Sequence, residues 1–160
     1  MRIPIRELAE KYQNSLYAAA FNICKNPADA EDAVQDTFLQ YHLNKQEYDS
    51  EQHIRAWLLR VAINRAKNIT HSFWRRNRQS LEDYMETAVF ETPDLSDGFR
   101  AVMELPEKYR IVIHLFYYED YSVNEIAEVL KLSVSNVKVR LSRGRKLLKE
   151  ALKEDWDDDE

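Results

Sequence analysis

The stretch YSVNEIAEVLKLSVSNVKVRLSRGRKLLKEALK, residues 121–153, decides how the rest of the chain is read. It predicts two helices joined by a tight turn. Ser122 and Glu125 have the spacing of a capping box, in which hydroxyl and carboxylate each take one free backbone N–H at a helix start. The first helix then covers Val123 to Leu130, with Val123, Ile126, Ala127 and Leu130 on one face. Leu132 falls in the turn, and Ser133 is placed to cap the second helix. There Val137, Leu141, Gly144, Leu148 and Leu152 recur at steps of four and three and form one stripe. The opposite face carries Asn136, Lys138, Arg140, Arg143, Arg145, Lys146 and Lys149.

A short capped helix, a turn and a longer helix with one basic face fit a DNA-binding helix-turn-helix. An ordinary helical hairpin with a solvated basic face is the bland reading of the same residues. A solvated face usually mixes charges of both signs at i,i+4. Residues 131–149 instead hold seven Lys or Arg and no Asp or Glu. Ser135, Asn136 and Lys138 also lie near the helix N-terminus, the end that reaches base edges.

With 160 residues the chain is one domain or two small ones. No apolar run is long enough to span a membrane, and the start, MRIPIRELAEKY, lacks the apolar core of a secretory signal. The single cysteine, Cys24, excludes an internal disulfide framework and, within AAAFNIC, reads as a small buried hydrophobe. A cytoplasmic protein is expected. Two glycines, Gly98 and Gly144, exclude the glycine-rich phosphate loops. His42, His53, His71 and His114 have no zinc-ligand spacing, and no nucleophile elbow is present. The expectation is a protein that is not an enzyme, with no catalytic residues, metal, cofactor or small-molecule substrate.

A net charge of −5 looks wrong for a DNA-binding protein until it is divided. Residues 55–78 contain seven Lys or Arg and no acid, residues 79–120 hold ten acids against three bases, and residues 131–149 are again seven bases without an acid. Attraction to phosphate follows local potential more than net charge, so two nucleic-acid contacts on either side of an acidic middle are expected.

Upstream, periodicity predicts a helix over about Ile5 to Lys25 with Leu8, Tyr12, Leu16, Ala19, Ala20 and Ile23 inward. Asn26 and Pro27 have the chemistry of an N-cap and a first helical residue. The helix they start runs to about His42, burying Ala30, Val34, Phe38 and Tyr41 and presenting Asp29, Asp32, Gln35 and Asp36 as a solvated acidic face. A third helix, roughly Glu51 to Arg76, carries the stripe Ile54, Trp57, Leu58, Val61, Ala62, Ile69 and Phe73. Its other side holds Arg60, Asn64, Lys67 and Asn68 and ends at Trp74, Arg75 and Arg76. Cations, amides and an aromatic ring in this arrangement suit single-stranded DNA; Trp57 fits the core, whereas Trp74 is a candidate base platform. Residues 79–95 are acidic and read as a linker. A short helix around Phe99, Val102 and Met103 and another with Ile111, Val112, Leu115 and Phe116 then pack on the helix-turn-helix. No segment alternates with period two, so the fold is expected to be all-α.

The whole chain resembles an extracytoplasmic-function (ECF) sigma factor, the minimal two-domain sigma subunit of bacterial RNA polymerase. NPADAEDAVQDTFLQYH (26–42) is similar to the family's polymerase-binding segment, IRAWLLRVAINRAKNITHSFWRR (54–76) to its promoter −10 reader, and LPEKYRIVIHLFYYEDYSVNEIAEVLKLSVSNVKVRLSRGRKLL (105–148) to its −35-binding domain. The resemblance implies two small helical domains, 1–78 and 96–153, joined by the acidic linker 79–95 and followed by an acidic tail, 154–160. It places Asp32, Gln35 and Asp36 against core polymerase. Asn64 and Asn68 would capture unpaired −10 bases, with Arg60 and Lys67 on the backbone and Trp74, Arg75 and Arg76 beside them. Lys138, Val139, Ser142 and Arg143 would face the −35 major groove with Ser135 and Asn136, while Arg140 and Arg145 would hold phosphates. It also implies control by an anti-sigma factor. Lys131 departs from the family, which often has glycine at this turn; lysine adopts a left-handed conformation there at roughly 1 kcal/mol.

Two other readings compete. A helix-turn-helix regulator that binds duplex operators without core polymerase leaves the basic stretch 55–78 unexplained. A protein-interaction module with a sigma-like surface would tolerate neutralisation of Lys138 and Arg143.

Overall fold

A computed structural model of the chain describes residues 1–76 and 97–158, with side chains for residues 1–72 and 98–153. The linker expected over 79–95 lies outside the described residues, as do the side chains of Phe73, Trp74, Arg75, Arg76 and the acidic tail. The elements are α1 (Ile5–Cys24), α2 (Pro27–Leu43), α3 (Glu51–Arg76), α4 (Asp97–Met103), α5 (Glu107–Ile113) with a π-helical continuation (His114–Tyr118), α6 (Val123–Leu130) and α7 (Val134–Asp158). No strand occurs among the described residues, and the fold is all-α. The helices form two compact units, α1 to α3 and α4 to α7.

Local chemistry sets most helix ends. Lys25 turns left-handed, with φ 55°, and closes α1 by donating its N–H to Phe21. Asn26 Oδ1 accepts the Asp29 N–H at 2.8 Å, and Pro27 follows at the first helical position. Ser50 Oγ accepts the His53 N–H at 3.1 Å to start α3. The Asn26 and Ser50 bonds each satisfy a donor that a helix start leaves without an intrahelical acceptor, and the Lys25 bond satisfies a carbonyl at a helix end.

In the first unit each helix packs on the other two. A helix with two neighbours buries a wider arc than one stripe supplies. Hence Phe21, Ala33, Leu59, Ile63 and Ala66 join the core, while Tyr12, Phe38, Trp57, Val61 and Ile69, expected inside, are half-buried. Ala19, Ala20, Ala30, Ala33, Ala62 and Ala66 are fully enclosed and let the backbones approach closely. Half-buried Trp57 packs edge-on to the enclosed rings of Tyr41 and Tyr48, at separations of 6.1 and 6.0 Å, and so borders the core instead of filling it. Cys24 is half-buried rather than enclosed, because it closes α1 at the edge of the bundle, where Sγ lies 3.4 Å from the Asn26 carbonyl.

The α2–α3 connection is tied down by the chain start. Tyr41 Oη donates to the Ile3 carbonyl at 2.8 Å and accepts the Ile3 N–H at 2.9 Å. The Arg2 guanidinium lies over the Tyr41 ring and donates to the Tyr41 and Gln46 carbonyls. The Tyr48 N–H reaches the Met1 carbonyl at 3.1 Å.

In the second unit α7 receives α4, α5 and α6. Val137, Leu141 and Gly144 are buried along it, while Leu148 and Leu152 are half-buried toward its far end. On α6 the enclosed residues are Ile126, Ala127 and Val129; Val123 and Leu130, expected on that face, sit at the edges of this short helix and stay half-buried. A Cβ on Gly144 would lie 2.6 Å from Ile113 Cδ1, so glycine permits α5 to cross close to α7. The helix α7 runs through the expected end at Lys153 as far as Asp158.

Candidate nucleic-acid and polymerase interfaces

On α3, Arg60, Asn64, Lys67 and Asn68 fall at i, i+4, i+7 and i+8, one side of a helix. The opposite side is the enclosed row of Leu58, Leu59, Ala62, Ile63 and Ala66. Asn64 and Asn68 are exposed, one turn apart, and Arg60 and Lys67 are half-buried beside them. Two amides at that spacing offer donors and acceptors to exposed base edges, and the cations suit a phosphate backbone.

On α2, Asp32 and Gln35 are exposed and Asp36 is half-buried. The carboxylate of Asp36 is engaged within the unit, with Oδ2 2.6 Å from Arg65 Nε on α3. Asp29, expected on a solvated face, is half-buried, and its carboxyl is pushed above the usual range, chiefly by burial and then by neighbouring Asp32. The acidic face is therefore narrower than expected. It is also longer and partly apolar. Leu39 and Leu43 are 54% and 68% exposed and continue the line of Asp32 and Asp36 at i+7 and i+11. Sequence reasoning passed over both leucines. The available signal was their register, which misses the buried row of Ala30, Val34 and Tyr41.

The helix-turn-helix has the expected caps. Ser122 Oγ accepts the Glu125 N–H at 3.1 Å, and Glu125 Oε1 accepts the Ser122 N–H at 3.0 Å. Lys131 closes α6 in the left-handed conformation, φ 55° and ψ 49°. Ser133 Oγ accepts the Asn136 N–H at 3.1 Å. These bonds aim the start of α7 outward. Ser135, Asn136, Lys138, Val139, Ser142, Arg143 and Arg145 are all exposed, and Arg140 is half-buried. Val139, 43% exposed among cations, is an apolar group suited to a thymine methyl. Arg145 differs from its neighbours: its Nε donates to Tyr117 Oη at 2.7 Å. Among the described residues no cluster of His, Cys, Asp and Glu is arranged to hold a metal, and no helix is long and apolar enough to cross a membrane.

Comparison with known proteins places both units. Residues 8–83 match sigma-70 region 2, and residues 99–148 match sigma-70 region 4. The ECF RNA polymerase sigma factor SigF of Caulobacter vibrioides is 34% identical over 79% of this chain and 73% of its own length. The chain belongs to the ECF sigma factor family. The ECF sigma factor SigW of Bacillus subtilis is 26% identical over 92% of the chain and 88% of its own length. Among solved structures, the sigma factor RpoE of Bartonella quintana, in complex with the anti-sigma factor NepR, has the same fold, with a TM-score of 0.70 and 24% identity over 92% of this chain and 96% of its own. The region 2 match covers most of α1 and all of α2 and α3, and the region 4 match covers α6 and α7 as far as Leu148.

Proposed function

We infer that the chain is a transcription initiation factor, an ECF sigma factor that directs core RNA polymerase to specific promoters and assists opening of the −10 strand. The observation that carries this reading is the pairing of two DNA-type faces, each inside a match to the corresponding sigma region: the exposed Asn64–Asn68 pair on basic α3, and the capped basic α7. Operator binding without polymerase is not favoured, because region 2 has no role in it.

In this reading residues 1–78 bind polymerase and the −10 element, and residues 96–153 bind the −35 duplex, with 79–95 as the linker and 154–160 as an acidic tail. Asp32, Gln35 and Asp36 dock on core polymerase, with Leu39 and Leu43 adding apolar area to the same contact. Asn64 and Asn68 take up bases as they leave the stack; unstacking costs a few kcal/mol per base, and the contacts made to the freed base offset it. Arg60 and Lys67 hold the backbone, and Trp74, Arg75 and Arg76 are assigned to the same −10 strand from the sequence alone. Ser135, Asn136, Lys138, Val139, Ser142 and Arg143 read the −35 groove, and Arg140 and Arg145 bind phosphate. The factor works in the cytoplasm, catalyses no reaction and needs no cofactor or small-molecule substrate. An anti-sigma factor, such as NepR is for RpoE, is its expected regulator.

Transcription in vitro tests the reading, with the purified chain, sigma-free core polymerase and fragmented genomic DNA of the host. The expected result is a set of discrete transcripts that require the chain and vanish when Asp32, Gln35 and Asp36 are all replaced by alanine. Tight duplex binding without transcripts or core association would replace this reading with an operator-binding regulator.

A further inference from the structure

We propose that Tyr117 is a positioning residue for promoter binding, holding Arg145 in the orientation that receives a DNA phosphate. The inference rests on the reading of α7 as the −35 helix. Beyond Ile113 the helix α5 widens into a π turn, in which the Glu119 N–H reaches the His114 carbonyl at 3.3 Å. π turns of this kind recur at functional sites. Here the turn sets the Phe116 and Tyr117 rings edge to face, 5.0 Å apart, beside α7. The Arg145 guanidinium lies over both rings, 5.2 Å from the Phe116 centroid and 5.6 Å from that of Tyr117. Its Nε–H is taken by Tyr117 Oη at 2.7 Å.

An arginine has five N–H donors in a planar fork. The tyrosine uses the one at the stem. Among the described residues no acceptor engages Nη1 or Nη2, so the outer edge of the fork, the edge that meets phosphate oxygens in pairs, is presented outward. Arg145 lies seven residues beyond Lys138 and three beyond Ser142, on the same side of α7 and at the flank of the groove-reading residues. A free arginine would lose up to about 2 kcal/mol of side-chain entropy on fixing to DNA. Two rings and a hydrogen bond impose part of that order before DNA arrives, which is the benefit of preorganisation. Tyr117 itself is 52% exposed, so its ring adds little to the core.

The test uses holoenzyme assembled from the full chain and core polymerase, and a promoter fragment recovered by the transcription experiment. Affinity is measured against salt for the wild type, Tyr117→Phe, Arg145→Ala and the double variant. Loss of one hydrogen bond predicts about two- to ten-fold weaker binding for Tyr117→Phe. Arg145→Ala should weaken binding further and lower the salt slope by about one unit. The double variant should bind no worse than Arg145→Ala, because the phenol acts only through the arginine. Core association and the unfolding midpoint of Tyr117→Phe should match the wild type. If Arg145→Ala behaves as stated but Tyr117→Phe has no effect, adds to it in the double variant, or weakens core association, the positioning role is overturned and the −35 reading survives. If Arg145→Ala changes neither affinity nor slope, Arg145 is not at the DNA and both ideas fall for this residue.

Discussion

The two basic helices solve different problems. α3 lies in a bundle where each helix packs on both others, and its DNA-type face offers two exposed amides flanked by half-buried cations. One further cation, Arg65, is paired with Asp36. On α7 the DNA-type face is wider, with exposed cations at Lys138, Arg143 and Arg145 and no carboxylate before Glu150. Amides discriminate hydrogen-bond patterns and contribute little long-range attraction, whereas a row of cations gives affinity through counterion release. Within the proposed function, this difference suits the first unit to selecting exposed bases and the second to holding a duplex.

The largest effect expected from that contrast belongs to the amides. Replacing Asn64 and Asn68 together by alanine removes two amides able to pair with base edges and should cost about 1–3 kcal/mol per captured base, a fall in transcript yield on the order of ten- to a hundred-fold for each. The salt slope of promoter binding should stay unchanged. A changed slope would mean that α3 works mainly through phosphates and would erase the contrast. Next in size, Lys138→Ala and Arg143→Ala should each weaken promoter binding by about 1–3 kcal/mol and reduce the salt slope by about one unit. Both residues are exposed, so the unfolding midpoint should barely move. The smallest effect is that of Arg65→Ala. An exposed ion pair contributes about 0.2–1 kcal/mol, so stability should fall by no more than that. Freed from Arg65, Asp36 should bind core polymerase up to about five-fold more tightly, as read by titration of labelled core. Weaker core binding would show that the pair holds Asp36 in its docking pose instead of competing for it.

Much of this architecture was legible in the residues. Asn26 with Pro27, Ser122 with Glu125, and Ser133 are local devices acting within three residues, and all three cap as their spacing predicts. Lys131 takes the left-handed turn because the chain must reverse there. That Asn64 and Asn68, and likewise the α7 cations, share a helix face was legible too, since helical period alone defines it. Contacts between distant segments were not. Leu39 and Leu43 read as ordinary helix residues until α1 and α3 take up the other faces of α2 and leave these two outside. Asp36 read as a free acid, because nothing local announces Arg65 twenty-nine residues away.

The sequence by itself determined an all-helical chain with capped helix starts, two basic faces and a helix-turn-helix, because caps and amphipathic period depend on neighbours within a turn or two. Tertiary structure decided how wide each buried arc is, that the chain start ties down the α2–α3 connection through Tyr41, and that Tyr117 takes the Nε–H of Arg145. These contacts join residues 28 or more positions apart, and only the packing of whole helices brings such side chains within reach.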